Sequence, residues 1–256
     1  MTTPTVLVTN DDGIDCGYLH ALATAFQEYF KVFVVAPKNE QSWAGRSFSR
    51  RGHVAVLERP DLPWPAWSVD GTPSDAVNLG LSTLLPSPVD LVVSGINVGF
   101  NITLPLVMTS GTVAAALEGA LWGHRAIAFS QAVNRKNFET VKEKNGHIKG
   151  EVATWRDAAA KRAATIAKDL MKSEPGNGIV HNINFPAVVA EATPIEKTQL
   201  GLVRLGGLFA PDGDGYEFAF PTEQTTVFCP EDADIQCLGR GHISHTVLDY
   251  RTLGRF

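Results

Sequence analysis

Short apolar strand runs separated by helix-length segments recur through residues 1–186, and this rhythm limits the fold more than any other feature of the chain. Thr5-Val6-Leu7-Val8-Thr9 is followed by a helix pattern over 17–29 and then by a second apolar run at 31–36. Further runs lie at 89–93, 125–130 and 178–182. Strand, helix, strand in succession predicts parallel pairing through right-handed crossovers. In such a sheet the loops leaving the carboxyl ends of the strands emerge on one side and converge on a crevice.

Between the second and third main strands, 53–57 and 66–69 read as a short hairpin. Thr72-Pro73-Ser74-Asp75 then opens a helix, with Thr72 as N-cap, Pro73 at the first helical position and Asp75 at the positive end. Val113 to Leu121 is a helix of small residues. Val152, Trp155, Ala159, Ala163, Ile166 and Leu170 mark the apolar face of another, ending before Pro175-Gly176. The connection through Pro105 shows no helical pattern, and the polar stretch 134–150 is expected to be an exposed loop. Beyond Pro186 the syntax changes to antiparallel strands at 198–205, 216–220, 225–228 and 243–249, with turns at Gly206-Gly207 and Asp212-Gly213-Asp214-Gly215. The expected organisation is a core over 1–186 and an extension over 187–256 that is too small for a core of its own and serves oligomerisation.

Asn10-Asp11-Asp12-Gly13 follows the first strand directly. Adjacent carboxylates at a buried strand end repel one another, and a fold tolerates them when a cation or proton compensates. Ser42 lies in the polar loop after the second strand and Asn97 in the glycine-rich loop after 89–93, so their oxygens are placed on the same side of the sheet as Asp11 and Asp12. Carboxylate, hydroxyl and amide oxygens are hard ligands suited to Mg²⁺, Mn²⁺ or Ca²⁺. Ser110-Gly111-Thr112 begins the small-residue helix and offers backbone N–H groups and hydroxyls to an anion. Each of these features alone is ordinary turn or cap chemistry. Their convergence points to metal-assisted phosphoester hydrolysis.

Charge narrows the partners. A net charge of -5 and a pI of about 5.8 leave no basic footprint for a nucleic-acid polymer. A small phosphorylated ligand needs only a local site. Cys16, Cys229 and Cys237 contain no C-x-x-C pair, so neither a disulfide framework nor a zinc knuckle is indicated. With no secretory pattern and no apolar run of membrane-spanning length, a soluble cytoplasmic protein is expected. His242 and His245 show no carboxylate partner and read as ordinary strand or loop residues.

The motifs, in order, are Val8-Thr9-Asn10-Asp11-Asp12-Gly13-Ile14, Val35-Ala36-Pro37 with Gln41-Ser42, Gly71-Thr72-Pro73, Ser94-Gly95-Ile96-Asn97 with Gly99 and Asn101, and Ser110-Gly111-Thr112-Val113. Weaker likenesses follow at Asn182-Ile183-Asn184-Phe185-Pro186 and Gly241-His242-Ile243-Ser244. As an ordered set they resemble the SurE family of metal-dependent nucleotidases, the survival proteins. The resemblance implies an α/β, Rossmann-like, mostly parallel sheet with helices on both faces, plus a β-rich C-terminal extension. It also implies one divalent ion per subunit bound by Asp11, Asp12, Ser42 and Asn97, with Mg²⁺ or Mn²⁺ as the working metal. The activity implied is release of phosphate from nucleoside 5′- or 3′-monophosphates, in a homodimer or homotetramer. Two positions depart from the family pattern: Trp43 stands where glycine is usual, and Thr109 where tyrosine is common.

On this reading Asn10, Asn101, Ser110, Gly111 and Thr112 orient the phosphoryl group, and Asp11 or Asp12, with Asp11 preferred, takes a proton from an attacking water. A haloacid-dehalogenase-type aspartyl phosphate is disfavoured, because Asn10 occupies the place of its nucleophile. A nicotinamide enzyme is disfavoured because no G-x-G-x-x-G follows the first strand. The alternative from a different class is a non-catalytic, metal-dependent nucleotide sensor.

Overall fold

The computed structural model describes residues 3–85, 88–172, 177–220 and 225–253; Pro175 and Gly176, where a helix end is expected, lie outside them. The strands are β1 (Thr5–Thr9), β2 (Lys31–Pro37), β3 (Val56–Glu58), β4 (Ala66–Val69), β5 (Leu91–Val98), β6 (Arg125–Gln131) and β7 (Ile179–Phe185). Six more follow: β8 (Ile195–Thr198), β9 (Leu202–Arg204), β10 (Phe209–Asp212), β11 (Gly215–Phe218), β12 (Thr225–Phe228) and β13 (Ile243–Asp249). Nine of them form one sheet in the order β3-β4-β2-β1-β5-β6-β7-β13-β8. β4, β2, β1, β5, β6 and β7 are parallel; β3 and β13 pair antiparallel to their neighbours β4 and β7. From β1 the chain steps outward to β2 and β4, then returns to place β5 on the other side of β1. That reversal makes the carboxyl ends of β1 and β5 the switch point of the sheet, where a crevice opens.

Helices α1 (Gly17–Phe26), α2 (Pro73–Leu79), α3 (Thr103–Thr109), α4 (Gly111–Leu121), α5 (Arg135–Glu143), α6 (Glu151–Leu170) and α7 (Asp234–Gly239) complete the architecture. The sheet is buried on both faces. Val6 and Val8 of β1 share a cluster with Leu22 and Phe26 of α1 and Ala163 of α6, whereas Leu7 clusters with Val77 of α2 and Ala115 of α4. Small residues bring α4 close to the strands: a Cβ on Gly119 would stand 2.6 Å from that of Val92. α2 begins as its sequence predicts, with a capping box in which the Thr72 hydroxyl accepts from Asp75 N–H and the Asp75 carboxylate accepts from Thr72 N–H.

Two helices depart from expectation. α5 occupies much of the stretch expected to be a loop, and its only buried residue is Val141, so it carries no apolar stripe to read. α3 occupies the stretch expected to be a connection through Pro105; the proline falls in the first turn, where a missing N–H costs no intrahelical bond. Beyond Pro186 the chain divides. β8 and β13 complete the main sheet, while β10–β11 and β9–β12 form separate two-stranded pieces. The expected boundary at 186 therefore falls in the loop after β7, and two strands from beyond it belong to the same sheet as β1.

Candidate active site at the switch point

Asp11 and Asp12 leave β1 almost completely buried, at 3% and 7% exposure. Their loop is closed by Asn10, whose Nδ2 donates to the Gly13 carbonyl at 2.9 Å and whose Oδ1 accepts from Gly13 N–H at 3.2 Å. Asn10 is entirely buried. Its amide holds the turn, with one Nδ2 hydrogen and Oδ1 engaged by Gly13. Neighbouring strands grip the same loop: the Asp11 carbonyl accepts from Gln41 N–H at 2.7 Å, and Asp12 Oδ2 accepts from Val98 N–H at 2.9 Å.

The start of α4 abuts Asp11. Ser110 is the N-cap, its hydroxyl accepting from Val113 N–H at 3.1 Å, and the Thr112 hydroxyl donates to Asp11 Oδ1 at 2.5 Å. Gly111 permits the approach, because a Cβ there would lie 2.7 Å from the Asp11 Cβ. The positive end of an eleven-residue helix thus faces a carboxylate. Thr112 is buried with its hydroxyl committed to Asp11, which leaves its N–H, not its side chain, for any anion.

Asn97, expected in a loop after 89–93, lies within β5, which runs on to Val98; it reaches the crevice through an irregularity where the register with β6 shifts between Ser94 and Asn97. Such a bulge re-aims side chains. Gly95 at its centre has φ 132°, and a Cβ there would strike the Phe129 carbonyl oxygen at 2.2 Å. Ser42 lies beside Glu40, its hydroxyl donating to Glu40 Oε1 at 2.6 Å. Asn101 is fixed from three sides: its N–H donates to Asn184 Oδ1 at 2.7 Å, its Nδ2 to Ser130 Oγ at 2.8 Å, and its carbonyl accepts from Asn182 Nδ2 at 2.8 Å. An amide nitrogen carries two hydrogens, and the Ser130 bond uses one. Asp11, Ser42, Asn97, Asn101 and Ser110 line one cavity of about 490 Å³.

Two charged residues in this crevice escape a reading of the sequence. Lys142 of α5 places Nζ 3.3 Å from Asp12 Oδ1 and 2.6 Å from Glu40 Oε1. Glu40 was visible only as one polar residue of a polar loop. Lys142 lay in the stretch expected to be a loop, and no local signal marked it.

Burial pushes the Asp11 carboxyl up to about 7, reinforced by the charge of Asp12 and opposed by the Thr112 hydrogen bond. Asp12 is raised by burial against the pull of Lys142 and the Val98 N–H. Despite partial burial, Glu40 is held below its usual value by Lys142 and Ser42. Among the described residues Lys142 is the one cation paired with either aspartate; it touches Asp12 and Glu40 and not Asp11. Ser42 and Asn97 add neutral oxygens beside the two buried carboxylates. That donor chemistry fits a hard divalent ion. Among the described residues no three His, Cys, Asp or Glu side chains gather as a metal cage. A cation here would rest on two carboxylates and neutral oxygens, as suits an ion that keeps several waters.

His242 corrects the expectation of no carboxylate partner: its Nδ1 meets Glu196 Oε1, and Arg240 pairs with the other oxygen of that carboxylate. His245 instead pairs with His181 at 2.9 Å across β13 and β7. Among the described residues no single helix is long and apolar enough to cross a membrane.

Fold and site together define a Rossmann-like α/β protein with an acidic, oxygen-lined crevice at its switch point and a helix amino end directed into it. The family model described as Survival protein SurE matches residues 6–206, and the chain belongs to that family. It is 34% identical over 245 residues to the 5'-nucleotidase SurE of Methanospirillum hungatei, covering 95% of this chain and 85% of that protein. With the 5'-nucleotidase SurE of Rhodopirellula baltica it shares 32% identity over 253 residues, 96% of this chain and 92% of that one. The crystal structure of the SurE protein from Aquifex aeolicus superposes with a TM-score of 0.74 at 27% identity, covering 98% of this chain and 97% of that one.

Proposed function

We propose that the protein is a metal-dependent nucleotidase that releases phosphate from nucleoside 5′- or 3′-monophosphates by direct attack of water. The observation that carries the reading is the Asp11–Asp12 pair, buried at the switch point against the amino end of α4. The relatives named 5'-nucleotidase support the 5′ activity; hydrolysis of 3′ esters is an extension of it.

Asp11, Asp12, Ser42 and Asn97 would hold one Mg²⁺ or Mn²⁺, with Ca²⁺ accommodated by the same oxygens. When bound, the ion supplies positive charge to the phosphoryl oxygens and acidifies water. Asp11, which lines the cavity, is the preferred proton acceptor for the attacking water, with Asp12 the supporting carboxylate. The N–H groups of Gly111 and Thr112, the Ser110 hydroxyl and the second Asn101 amide hydrogen orient the phosphoryl group. Asn10 serves by holding the Asp11–Asp12 turn. Phosphate and a nucleoside leave, and no aspartyl phosphate forms.

The proposal includes a reducing cytoplasm, supported by three unpaired thiols, and a homodimer or homotetramer, supported by exposed apolar side chains on β10–β12 such as Phe209, Tyr216 and Phe228. The test of function is a phosphate-release screen over nucleoside 5′- and 3′-monophosphates and simple phosphoesters, with Mg²⁺, Mn²⁺, Ca²⁺ or EDTA. Release that EDTA abolishes is expected. Tight nucleotide binding without turnover under every metal would replace the enzyme by the sensor.

A further inference from the structure

Trp43 follows Ser42 with φ 63°, a left-handed backbone that strains any residue with a Cβ. Strain of this kind persists only where the surrounding structure over-determines it. The indole packs against Phe218 and Phe220, with ring centroids 4.9 and 6.0 Å away. Phe218 ends β11 and Phe220 follows it, and both remain 47% and 43% exposed. All three rings line the same cavity as Asp11, Ser42 and Asn97. Its volume of about 490 Å³ lies within the roughly 300–1,000 Å³ range of small-molecule sites.

The loop bearing Trp43 is tied down nearby, since Gly45 N–H donates to the Thr109 carbonyl at 2.9 Å. The Thr109 hydroxyl turns back onto the carbonyls of Pro105 and Leu106, at 3.2 and 3.3 Å. Thr109 adds no ring to the cavity; Trp43, Phe218 and Phe220 form one aromatic cluster on its wall, and Phe100 and Phe138 border it elsewhere. The cavity joins a polar region suited to a phosphoryl group to a surface suited to a flat, apolar one.

We infer that Trp43, with Phe218 and Phe220, is the platform on which a flat aromatic group of the substrate stacks. It selects phosphomonoesters that carry a nucleobase or aryl ring over polyol phosphates and inorganic polyphosphate. The inference rests on the phosphatase reading above. Stacking tolerates changes of ring, because every base offers a π-face, so the platform distinguishes ring from no ring more than one base from another.

The test compares kcat/KM for 5′-AMP, 4-nitrophenyl phosphate and glycerol 2-phosphate in the full chain with Mn²⁺, for wild type, Trp43→Gly and Trp43→Phe. Glycine accepts the φ of this position without strain, so Trp43→Gly removes the ring without burdening the fold. The ratio of kcat/KM for AMP to that for glycerol phosphate is expected to fall about tenfold in Trp43→Gly, the size of a single base–aromatic stack. The change lies mainly in KM, and Trp43→Phe restores most of it. A parallel fall for 4-nitrophenyl phosphate shows that any flat ring suffices; a fall for AMP alone assigns the platform to nucleobases. Adenosine, which carries no phosphate, should bind Trp43→Gly about tenfold more weakly by calorimetry. An unchanged substrate ratio, or unchanged adenosine affinity, overturns the inference. Phosphate release from no substrate by the wild type would refute the phosphatase reading, and adenosine binding would still test the platform.

Discussion

Replacing Asp11 by asparagine preserves the outline of the side chain and the Oδ1 acceptor used by Thr112, while deleting one of two adjacent buried charges. In the metal-free protein burial and the neighbouring Asp12 charge raise the Asp11 pKa from 3.8 to about 7, so holding it ionised above neutrality costs several kcal/mol. The folded value is raised, which means that between these limits the folded chain holds a proton the unfolded chain has lost. The penalty is absent below about pH 4, grows as pH rises and is complete above about pH 7. With EDTA present, the wild type should therefore lose stability from pH 5 to pH 8, and Asp11→Asn should escape much of that loss. We expect the variant to be more stable by about 2–4 kcal/mol at pH 8 and by far less at pH 5, the lower figure allowing for the buried amide's own hydrogen-bonding needs. Urea denaturation at several pH values reads the difference. Saturating Mn²⁺ should reverse the order, because the wild type gains binding free energy that the variant largely lacks, and phosphate release should fall at least about 100-fold. A stability gap that stays constant with pH would refute the burial argument. Full metal-dependent turnover would refute the ligand assignment.

Lys142→Met removes the ammonium that touches Asp12 and Glu40; the metal-free protein should lose about 1–3 kcal/mol, while Mn²⁺ affinity by calorimetry rises several-fold as a competing positive charge disappears. Gly111→Ala places a methyl 2.7 Å from the Asp11 Cβ, so α4 must retreat; a loss of about 1–3 kcal/mol in urea and a fall in kcat of at least about tenfold are expected. Glu118 is 2% exposed and accepts from Arg46, Asn78 and Trp122. Glu118→Gln should cost about 1–3 kcal/mol by thermal or urea unfolding, and an unchanged midpoint would show that the Arg46 pair contributes nothing to holding the loop after β2.

How much of this was legible in the chain depended on whether the information was local. The runs at β1, β2, β5, β6 and β7 announce themselves because both faces of those strands are buried, and the rule that parallel strands direct their carboxyl-end loops to one side brings Asp11, Ser42 and Asn97 together without coordinates. Asp11 and Asp12 were legible as an electrostatic conflict between neighbours. Lys142 was not, because α5 is held by contacts from distant parts of the chain and not by an apolar stripe of its own. α3 is only seven residues long, too short to show a helical period, and its Pro105 is tolerated because it sits in the first turn. Asn10 and Thr112 have residue types suited to phosphate, and in the fold the Asn10 amide also closes on Gly13 while the Thr112 hydroxyl donates to Asp11. Which neighbour captures a side-chain amide or hydroxyl is decided by packing at the scale of an ångström, and spacing carries no record of it. The meeting of Trp43 with Phe218 and Phe220 is likewise a consequence of where β11 lies in space.

β7 pairs with β13 from Ile179 to Asn184, and β13 lies well downstream, after the smaller strands and α7. During synthesis the six parallel strands from β4 to β7 emerge first, and their outer edge, Ile179-Val180-His181-Asn182-Ile183-Asn184-Phe185, stays without its partner until the ribosome has released β13. An apolar, open strand edge invites pairing with other chains. The nascent protein thus passes through an interval in which the crevice at its switch point has all its residues but its sheet is unfinished, and cellular yield will depend on how quickly β13 arrives to seal it.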